Sequence, residues 1–252
     1  MSRRATATRL LAAVATCCAA GAVLPSAFAA GGLSVTPAIL EHAATVGSVG
    51  SVVVDNTAAT PLKITVTPRP WLQARSGAVS PNRKATLTKD IKVSARSFVL
   101  PAGAKRSVDL RLLHRPSGGA LFGSLEVIGA PTSKPSGSGI TAEYRIISSL
   151  RLTAAAPRHG VRVGDARISG KSAVVAVRNT GNTVDPVAGS VRLTGPRGTI
   201  NATIAAVRVL PGAIVDLKLS AASKLPKGAY TATVSLTQGG KKVASAKRSF
   251  HR

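Results

Sequence analysis

The chain has 252 residues, of which 34 are Lys or Arg and nine are Asp or Glu, so its formal charge at pH 7 is +25. Aromatic residues make up only 3% of it. This argues against a binder of single-stranded nucleic acid, because such proteins stack bases on aromatic side chains between their positive charges. The nine acidic residues are scattered along the sequence, which also argues against the paired carboxylates of a glycosidase active site.

The first ~30 residues predict a cleavable secretory signal peptide. Arg3, Arg4 and Arg9 precede an almost wholly apolar run at residues 10–24, and Ala-Phe-Ala at 27–29 supplies the small residues that a signal peptidase recognises. The run is about 15 residues long, shorter than the roughly 20 needed to span a bilayer. No later stretch approaches that length, so we expect no transmembrane segment in the mature chain.

Processing as a lipoprotein is the alternative, because the sequence before Cys17 loosely resembles a lipobox. In the secretory case, cleavage removes both Cys17 and Cys18, and the mature chain has no disulfide. Loss of the three leading arginines lowers the formal charge from +25 to +22. We therefore expect a secreted protein, extracellular or associated with the cell wall, whose domains are held together by packing alone.

Beyond residue 30, short β-branched or alternating runs are separated by Gly, Pro and Asn turns, which predicts strands. Many short strands at regular spacing are typical of a β-sandwich. We predict an all-β fold, with two tandem immunoglobulin-like β-sandwich domains at residues 31–156 and 157–252. The clearest strand signals, in chain order, lie at residues 51–55, 62–66, 107–112, 173–177 and 230–236.

The two predicted domains repeat each other. Residues 52–57, VVVDNT, recur as residues 175–180, VAVRNT, so a strand ends in an Asn-Thr turn in both. Residues 100–103, LPAG, recur as residues 210–212, LPG, and a strand with alternating apolar residues follows each. A repeat of this length corresponds to one sandwich domain, which favours two related domains in tandem.

The last strand of the first domain is a candidate protein-binding edge. Apolar and charged residues alternate between residues 141 and 152, and a Pro-, Gly- and Ser-rich segment at 129–139 predicts a mobile hairpin loop before it. An exposed sheet edge can take up an extended segment of another protein as an added strand. The predicted partner-binding residues are Tyr144, Arg145, Ile146 and Arg151.

The positive charge predicts attraction to polyanions. Export separates the protein from chromosomal nucleic acid, so the compartment favours anionic wall polymers. The alternative is a solubilising surface charge with no dedicated partner. The predicted anion-binding residues form three adjacent pairs, Arg83 and Lys84, Lys105 and Arg106, and Lys241 and Lys242.

No catalytic apparatus is visible. A covalent hydrolase needs a nucleophile with a base beside it, yet the four histidines (His42, His114, His159 and His251) are far apart and no Gly-x-Ser-x-Gly motif occurs. Metal sites need clustered His, Cys or carboxylate residues, and the sequence has none. We predict a protein without enzymatic activity, catalytic residues, cofactor or metal.

The repeated elements resemble secreted bacterial immunoglobulin-like proteins of the pilus-chaperone (PapD-like) type and the two-domain proteins that interact with WxL surface proteins. The resemblance rests on residues 33–37, the strand ending at Asn56, the turn at residues 98–103, and residues 122–125 with the Tyr144 strand. It implies a protein that braces a secreted subunit with the last strand of its first domain and anchors the subunit's C-terminal carboxylate with two basic residues. Arg145 or Arg151 is the candidate for one of them, whereas the family's first-domain arginine has no matching position here.

Together these observations favour an exported, non-enzymatic binding protein of the cell envelope, with a basic surface for anionic wall polymers or surface proteins. The alternative hypothesis is a chaperone or scaffold that holds secreted surface subunits by edge-strand addition.

Overall fold

The computed structural model describes residues 32–133, 142–170, 172–219 and 225–252. The predicted signal peptide, residues 1–30, lies outside the described residues. The described part consists of strands and the turns that connect them. Within these ranges, no helix has the length and hydropathy that crossing a membrane requires.

In the described residues, the first sandwich contains ten strands. They are β1 (Leu33–Thr36), β2 (Ile39–Ala43), β3 (Gly47–Asn56), β4 (Leu62–Gln73), β5 (Val79–Pro81), β6 (Ile91–Val93), β7 (Ser97–Leu100), β8 (Lys105–Leu112), β9 (Leu121–Pro131) and β10 (Tyr144–Thr153). One sheet has the order β1-β3-β8-β6, and the other has the order β2-β10-β9-β4-β5 with β7 also paired to β4.

Alternation of apolar and polar residues along each strand builds the core of this sandwich. In β8, Val108, Leu110 and Leu112 are buried, whereas the polar residues between them are exposed. Leu62 and Ile64 of β4, in the facing sheet, pack into the same core. Because successive side chains point to opposite faces of a strand, this pattern fixes which face of each sheet is covered.

The second sandwich repeats this plan with fewer strands, seven in the described part of the chain. They are β11 (Val161–Ser169), β12 (Ser172–Asn179), β13 (Pro186–Gly195), β14 (Gly198–Arg208), β15 (Ile214–Lys218), β16 (Ala229–Gln238) and β17 (Lys241–His251). One sheet has the order β11-β12-β15 and the other β14-β13-β16-β17. Their inner faces enclose a separate apolar cluster that includes Val175, Leu217, Val234 and Leu236.

Two connections determine where the candidate site lies. β1 belongs to one sheet and β2 to the other, and β2 pairs in parallel with β10. The chain therefore crosses between the sheets at residues 37–38, and β2 reaches only part of the β10 edge. Residues 154–160 connect β10 to the second sandwich.

The loop predicted at residues 129–139 begins later than expected. β9 continues through Pro131, and its ladder with β4 extends to the pair Leu62–Pro131. A Cβ on Gly129 would lie 3.2–3.3 Å from Leu33, Leu62 and Ile64, so this glycine permits close packing inside the sandwich instead of starting a loop. Residues 134–139 of the predicted loop lie outside the described residues.

Candidate functional site

One half of the β10 edge is covered and the other half is not. Antiparallel pairing joins β10 to β9 from Tyr144 to Leu152. On its other side, β2 pairs with residues 149–153 only. Residues 145–148, here called the open edge, therefore have a strand partner on one side alone within the described part of the chain.

The register shows which backbone groups face outward at the open edge. The N–H of Ser149 donates to Ala38 O at 2.8 Å, so it points towards the β2 side. Backbone groups alternate in direction from one residue to the next along a strand. The N–H and C=O of Ile147 and Arg145 therefore point the same way as those of Ser149, where no strand among the described residues pairs with them.

Side chains on β10 divide between two faces. Tyr144 and Ile146 pack against the core of the first sandwich, while Arg145 and Ile147 lie on the opposite face. A strand added at the open edge would extend the apolar row on the inner face and meet Arg145 on the outer face. The backbone groups that would bind it belong to Arg145 and Ile147, and not to Ile146.

A buried carboxylate organises the outer face next to the open edge. Glu126 of β9 is only 2% exposed, and its carboxylate accepts a hydrogen bond from Arg69 Nε. Arg145 Nε lies 3.5 Å and Arg83 Nε 3.8 Å from Glu126 Oε1. Arg145 also lies 3.8 Å from Glu143. Three guanidinium groups beside two carboxylates leave a local excess of positive charge, and Glu126 holds Arg145 beside the edge.

An interdomain cleft of about 380 Å³ lies at the other end of β10. Glu41, Phe122 and Arg151 line it from the first sandwich, and Asp185 and Arg208 line it from the second. Its charged groups are largely paired: Arg151 lies 3.9 Å from Glu41, Asp185 lies 2.8 Å from His159, and Arg208 donates to a backbone carbonyl.

The β4–β5 hairpin fixes one side of the contact between the domains. Gln73 donates from Nε2 to Arg208 O at 2.8 Å and accepts at Oε1 from the N–H of Leu210 at 2.8 Å. Arg75 O accepts from the N–H of Asp216 at 2.7 Å. The hairpin thus occupies backbone groups of the second sandwich at the end of β14 and along the β15 edge.

Asn182 of the second sandwich fixes the other side of the contact between the domains. Its amide donates to Gly118 O at 3.1 Å and to Ala156 O at 3.2 Å, and it accepts from the N–H of Arg158 at 2.7 Å. The cleft and the open edge are therefore held at a set orientation by contacts on two sides of the connection.

The predicted partner-binding residues all lie on β10, but their side chains lie in different surroundings. Arg145 lies at the open edge, whereas Tyr144 and Ile146 face the core. Arg151 lies in the half that β2 covers, with its side chain in the cleft. Ile147 was not predicted, because the run of two isoleucines breaks the alternation that identified the other positions.

The predicted anion-binding residues lie on three separate elements. Arg83 and Lys84 follow β5, Lys105 and Arg106 begin β8, and Lys241 and Lys242 begin β17. Half of them are already engaged: Arg83 approaches Glu126, Lys105 pairs with Asp55 at 3.0 Å, and Arg106 lies over the Phe98 ring. In the described part of the chain, Lys84, Lys241 and Lys242 have no ion-pair partner.

Sequence comparisons return nothing: no family model matches, and no curated protein matches. Among solved structures, a chain of the chaperone–tip adhesin complex of CFA/I fimbriae biogenesis aligns with a TM-score of 0.53 at 12% identity, over 87% of this chain and 98% of that chain. The class 5 fimbriae chaperone CfaA aligns with a TM-score of 0.48 at 12% identity, over 87% and 99%. The CsuC–CsuE chaperone complex of Acinetobacter baumannii aligns at 0.45 and 13% identity, over 87% and 98%.

The first of these alignments shows the fold. It confirms the predicted all-β architecture of two immunoglobulin-like sandwiches and the predicted fold-level resemblance to pilus chaperones of the PapD-like type.

Proposed function

We propose that this protein is a chaperone or scaffold that holds another exported protein by taking up one of its segments as a strand beside β10. The carrying observation is the open edge, where the backbone groups of Arg145 and Ile147 face outward next to a folded sheet. Backbone hydrogen bonds give affinity in strand addition, and side-chain rows on the two faces give specificity. The solved chaperone–tip adhesin complex that shares this fold supports the proposal.

Restriction of the open edge to four residues also supports this function. A long exposed edge would invite indiscriminate pairing, whereas here β2 covers residues 149–153 of β10 and the bulky guanidinium of Arg145 stands at the edge. The partner segment must therefore be extended, apolar on the face towards Tyr144 and Ile146, and compatible with positive charge on the other.

Photo-crosslinking tests the proposal at single-residue resolution. A photoreactive amino acid replaces Ile147, and the control replaces Val53, which is exposed on β3 in the other sheet. We expect the probe at 147, but not at 53, to link to a defined segment of an exported protein. Absence of a linked protein at 147, or equal linking at both positions, would overturn strand addition.

A proline substitution separates backbone recognition from side-chain contacts. Ile147→Pro removes an outward-facing N–H, and proline is tolerated at edge positions whose N–H faces away from the sheet. Ile147→Val keeps the N–H and serves as the matched control. We expect the proline variant to remain folded and to lose capture of the linked protein, while the valine variant retains it.

A second candidate function is attachment to an anionic wall polymer, favoured by the formal charge of +22 that remains after the predicted cleavage and by Lys84, Lys241 and Lys242, which have no ion-pair partner among the described residues. Sedimentation with purified cell walls at low and high salt tests it. Binding should weaken as salt screens the charges, and replacement of Lys84, Lys241 and Lys242 by Gln should reduce it. Ile147→Pro should leave this binding unchanged, so the two functions are distinguished by one pair of variants.

A further inference from the structure

Two arginines stand directly opposite each other on the outer face of the β11-β12-β15 sheet. Val163 and Val177 belong to the core of the second sandwich, so their neighbours Arg162 and Arg178 lie on the other face of the sheet. The ladder pairs Arg162 with Arg178, and like charges directly opposite each other are destabilising. In the described part of the chain, neither guanidinium has an ion pair or a hydrogen bond. The folded chain alone therefore leaves this repulsion uncompensated.

A third arginine reaches the same face from the first sandwich. Arg75 lies in the turn of the β4–β5 hairpin, and its C=O accepts from the N–H of Asp216 on β15 at 2.7 Å. Arg75 Nε lies 3.3 Å from Asp216 Oδ2, so main chain and side chain both hold this residue beside the sheet. Arg167 also donates to Asp216. Among the described residues, the two terminal nitrogens of Arg75 have no acceptor.

A β-bulge forms a depression between these arginines. The pairing of β11 with β12 shifts between Val163 and Ala166, so that Gly164 and Asp165 together stand against Ala176. A Cβ on Gly164 would lie 3.3 Å from the Ala176 Cβ, so these two small residues lie side by side. They leave room at the floor where larger side chains would fill the space.

The arginines and the bulge enclose a cavity of about 260 Å³, here called the arginine basin. It is lined by Arg75, Arg162, Arg178, Asp165 and Ile214, with Gly164 and Ala176 at the floor. Pockets for drug-sized ligands measure about 300–1,000 Å³, so the basin suits a small chemical group. The planar guanidinium fork matches the paired oxygens of carboxylates and phosphates.

Charge and oxygen count favour phosphate over carboxylate. Arg167 and the three basin arginines, set against Asp165 and Asp216, leave an excess of two positive charges. A phosphate monoester carries about −1.5 to −2 charges at pH 7 and three strong acceptor oxygens, whereas a carboxylate carries one charge on two oxygens. Three guanidinium groups around one small cavity therefore match the monoester better.

We propose that the arginine basin binds the phosphate group of a phosphate monoester, which relieves the repulsion between Arg162 and Arg178. Ile214 pairs with Arg178 in the ladder and is 40% exposed, so it offers an apolar wall to the carbon of the ester. The basin contains no residue of β10 and none of the three lysines without ion-pair partners. Its ligand is thus independent of strand addition and of wall attachment through those lysines.

Calorimetric titration at constant ionic strength tests the basin. Inorganic phosphate and glycerol 3-phosphate are the probes, and acetate is the carboxylate control. We expect saturable binding of both phosphates at one site and much weaker binding of acetate. Arg178→Gln should raise the dissociation constant of phosphate roughly tenfold, as for loss of a charged hydrogen bond. Arg111→Gln is the matched control, because Arg111 also faces a like charge, Lys92 of the first sandwich, and it should bind phosphate like the wild type.

Asp165→Asn gives a change of opposite sign. It removes a negative charge from the basin, so it should lower the dissociation constant of phosphate several-fold. Dissociation constants that are equal for the wild type, Arg178→Gln and Arg111→Gln would indicate diffuse attraction to the net charge and overturn the proposal. Acetate that binds as tightly as phosphate would overturn it as well.

Vesicles separate the two sources of the phosphate group. Phosphatidylcholine vesicles are prepared with and without phosphatidic acid, whose headgroup is a phosphate monoester. Sedimentation of the wild type, but not of Arg178→Gln, with the phosphatidic acid vesicles would identify a lipid headgroup as the ligand. Glycerol 3-phosphate binding without vesicle binding would identify a soluble ester. Equal sedimentation of the wild type and Arg178→Gln, together with equal titrations, would contradict a site at these arginines.

Discussion

Asn56 and Asn179 hold equivalent positions in the two sandwiches. Each is fully buried at the end of a strand, and each donates from its side-chain amide to the carbonyl of the residue four positions later, Thr60 or Thr183. Each also accepts, at Oδ1, from the N–H two positions later. The Asn-Thr repeat in the sequence therefore marks a repeated side-chain clamp.

The same two asparagines bind the Pro-Gly turns that also repeat. Asn56 Nδ2 donates to Leu100 O and Pro101 O at 3.0 Å, and Asn179 Nδ2 donates to Val209 O at 2.7 Å. In both domains the clamp joins the end of one strand to the turn before another. The bonds to Leu100 O and Val209 O are buried, so loss of the amide removes a donor from a carbonyl group inside each domain.

Replacement of either asparagine by alanine should strongly destabilise its own domain. A buried polar group that loses its partner costs about 1–3 kcal/mol, and Asn56→Ala removes the buried bond to Leu100 O together with those to Thr60 O and Pro101 O, so we expect about 2 kcal/mol. Asn56→Asp should cost at least as much, because a carboxylate oxygen would then face the carbonyl oxygens. Urea unfolding measures the change.

Asn201→Ala, at an exposed asparagine of β14, is the control for this pair and should change the free energy of unfolding by less than about 0.5 kcal/mol. Unfolding of Asn56→Ala at the wild-type midpoint would contradict the clamp.

Local sequence predicted much of this architecture, since alternation, turns and the internal repeat all depend on near neighbours. The sequence located both Asn-Thr turns. It did not predict their hydrogen bonds, because Asn56 and Leu100 are separated by 44 residues and no periodicity encodes such a pairing.

For the candidate site too, the sequence predicted what depends on neighbouring residues but not what depends on contacts between distant ones. Alternation placed Arg145 and Ile146 on opposite faces of a strand. The outward backbone groups could not be assigned, because they depend on where β2 stops along β10. Likewise, adjacent basic residues suggested three anion sites, but the acids that engage Arg83 and Lys105 come from strands distant in sequence.

The Gln73 amide should control the orientation of the domains. Gln73→Ala removes two hydrogen bonds to the second sandwich, each contributing about 1 kcal/mol. We expect a larger radius of gyration by small-angle X-ray scattering and faster proteolysis of the connection at residues 154–160. Leu72→Ala, at an exposed residue of the same hairpin, should behave like the wild type. An unchanged scattering profile for Gln73→Ala would show that the contacts of Asn182 and Arg75 suffice.

The ion-pair cluster of Glu126 with Arg69, Arg83 and Arg145 should stabilise the fold mainly through the buried carboxylate of Glu126. Glu126→Gln keeps the side-chain volume but leaves three guanidinium groups without their shared carboxylate. We expect a loss of about 2 kcal/mol, because removal of one partner from a buried ion pair is costly, and little change of this loss with salt, because salt screens buried pairs only weakly. Arg83→Ala should change the free energy of unfolding by less than about 0.5 kcal/mol, since that side chain is 66% exposed. Equal effects of the two substitutions would contradict this assignment.

Gly123 should be required for the packing of Leu87 against the core of the first sandwich. A Cβ at this position would lie 2.5 Å from Leu87 and 2.7 Å from the backbone oxygen of Arg69. Gly123→Ala must therefore displace Leu87 and strain β4, and we expect a loss of about 2 kcal/mol, as for overpacking in a core. Gly118→Ala is the control, because a Cβ there meets nothing within 4 Å. Hydrogen exchange should show faster exchange of the Leu87 N–H, which donates to Pro68 O at 2.8 Å, in Gly123→Ala only. If both glycine variants keep wild-type protection at Leu87, the core beside Leu87 has room for the added methyl group and the proposed packing is wrong.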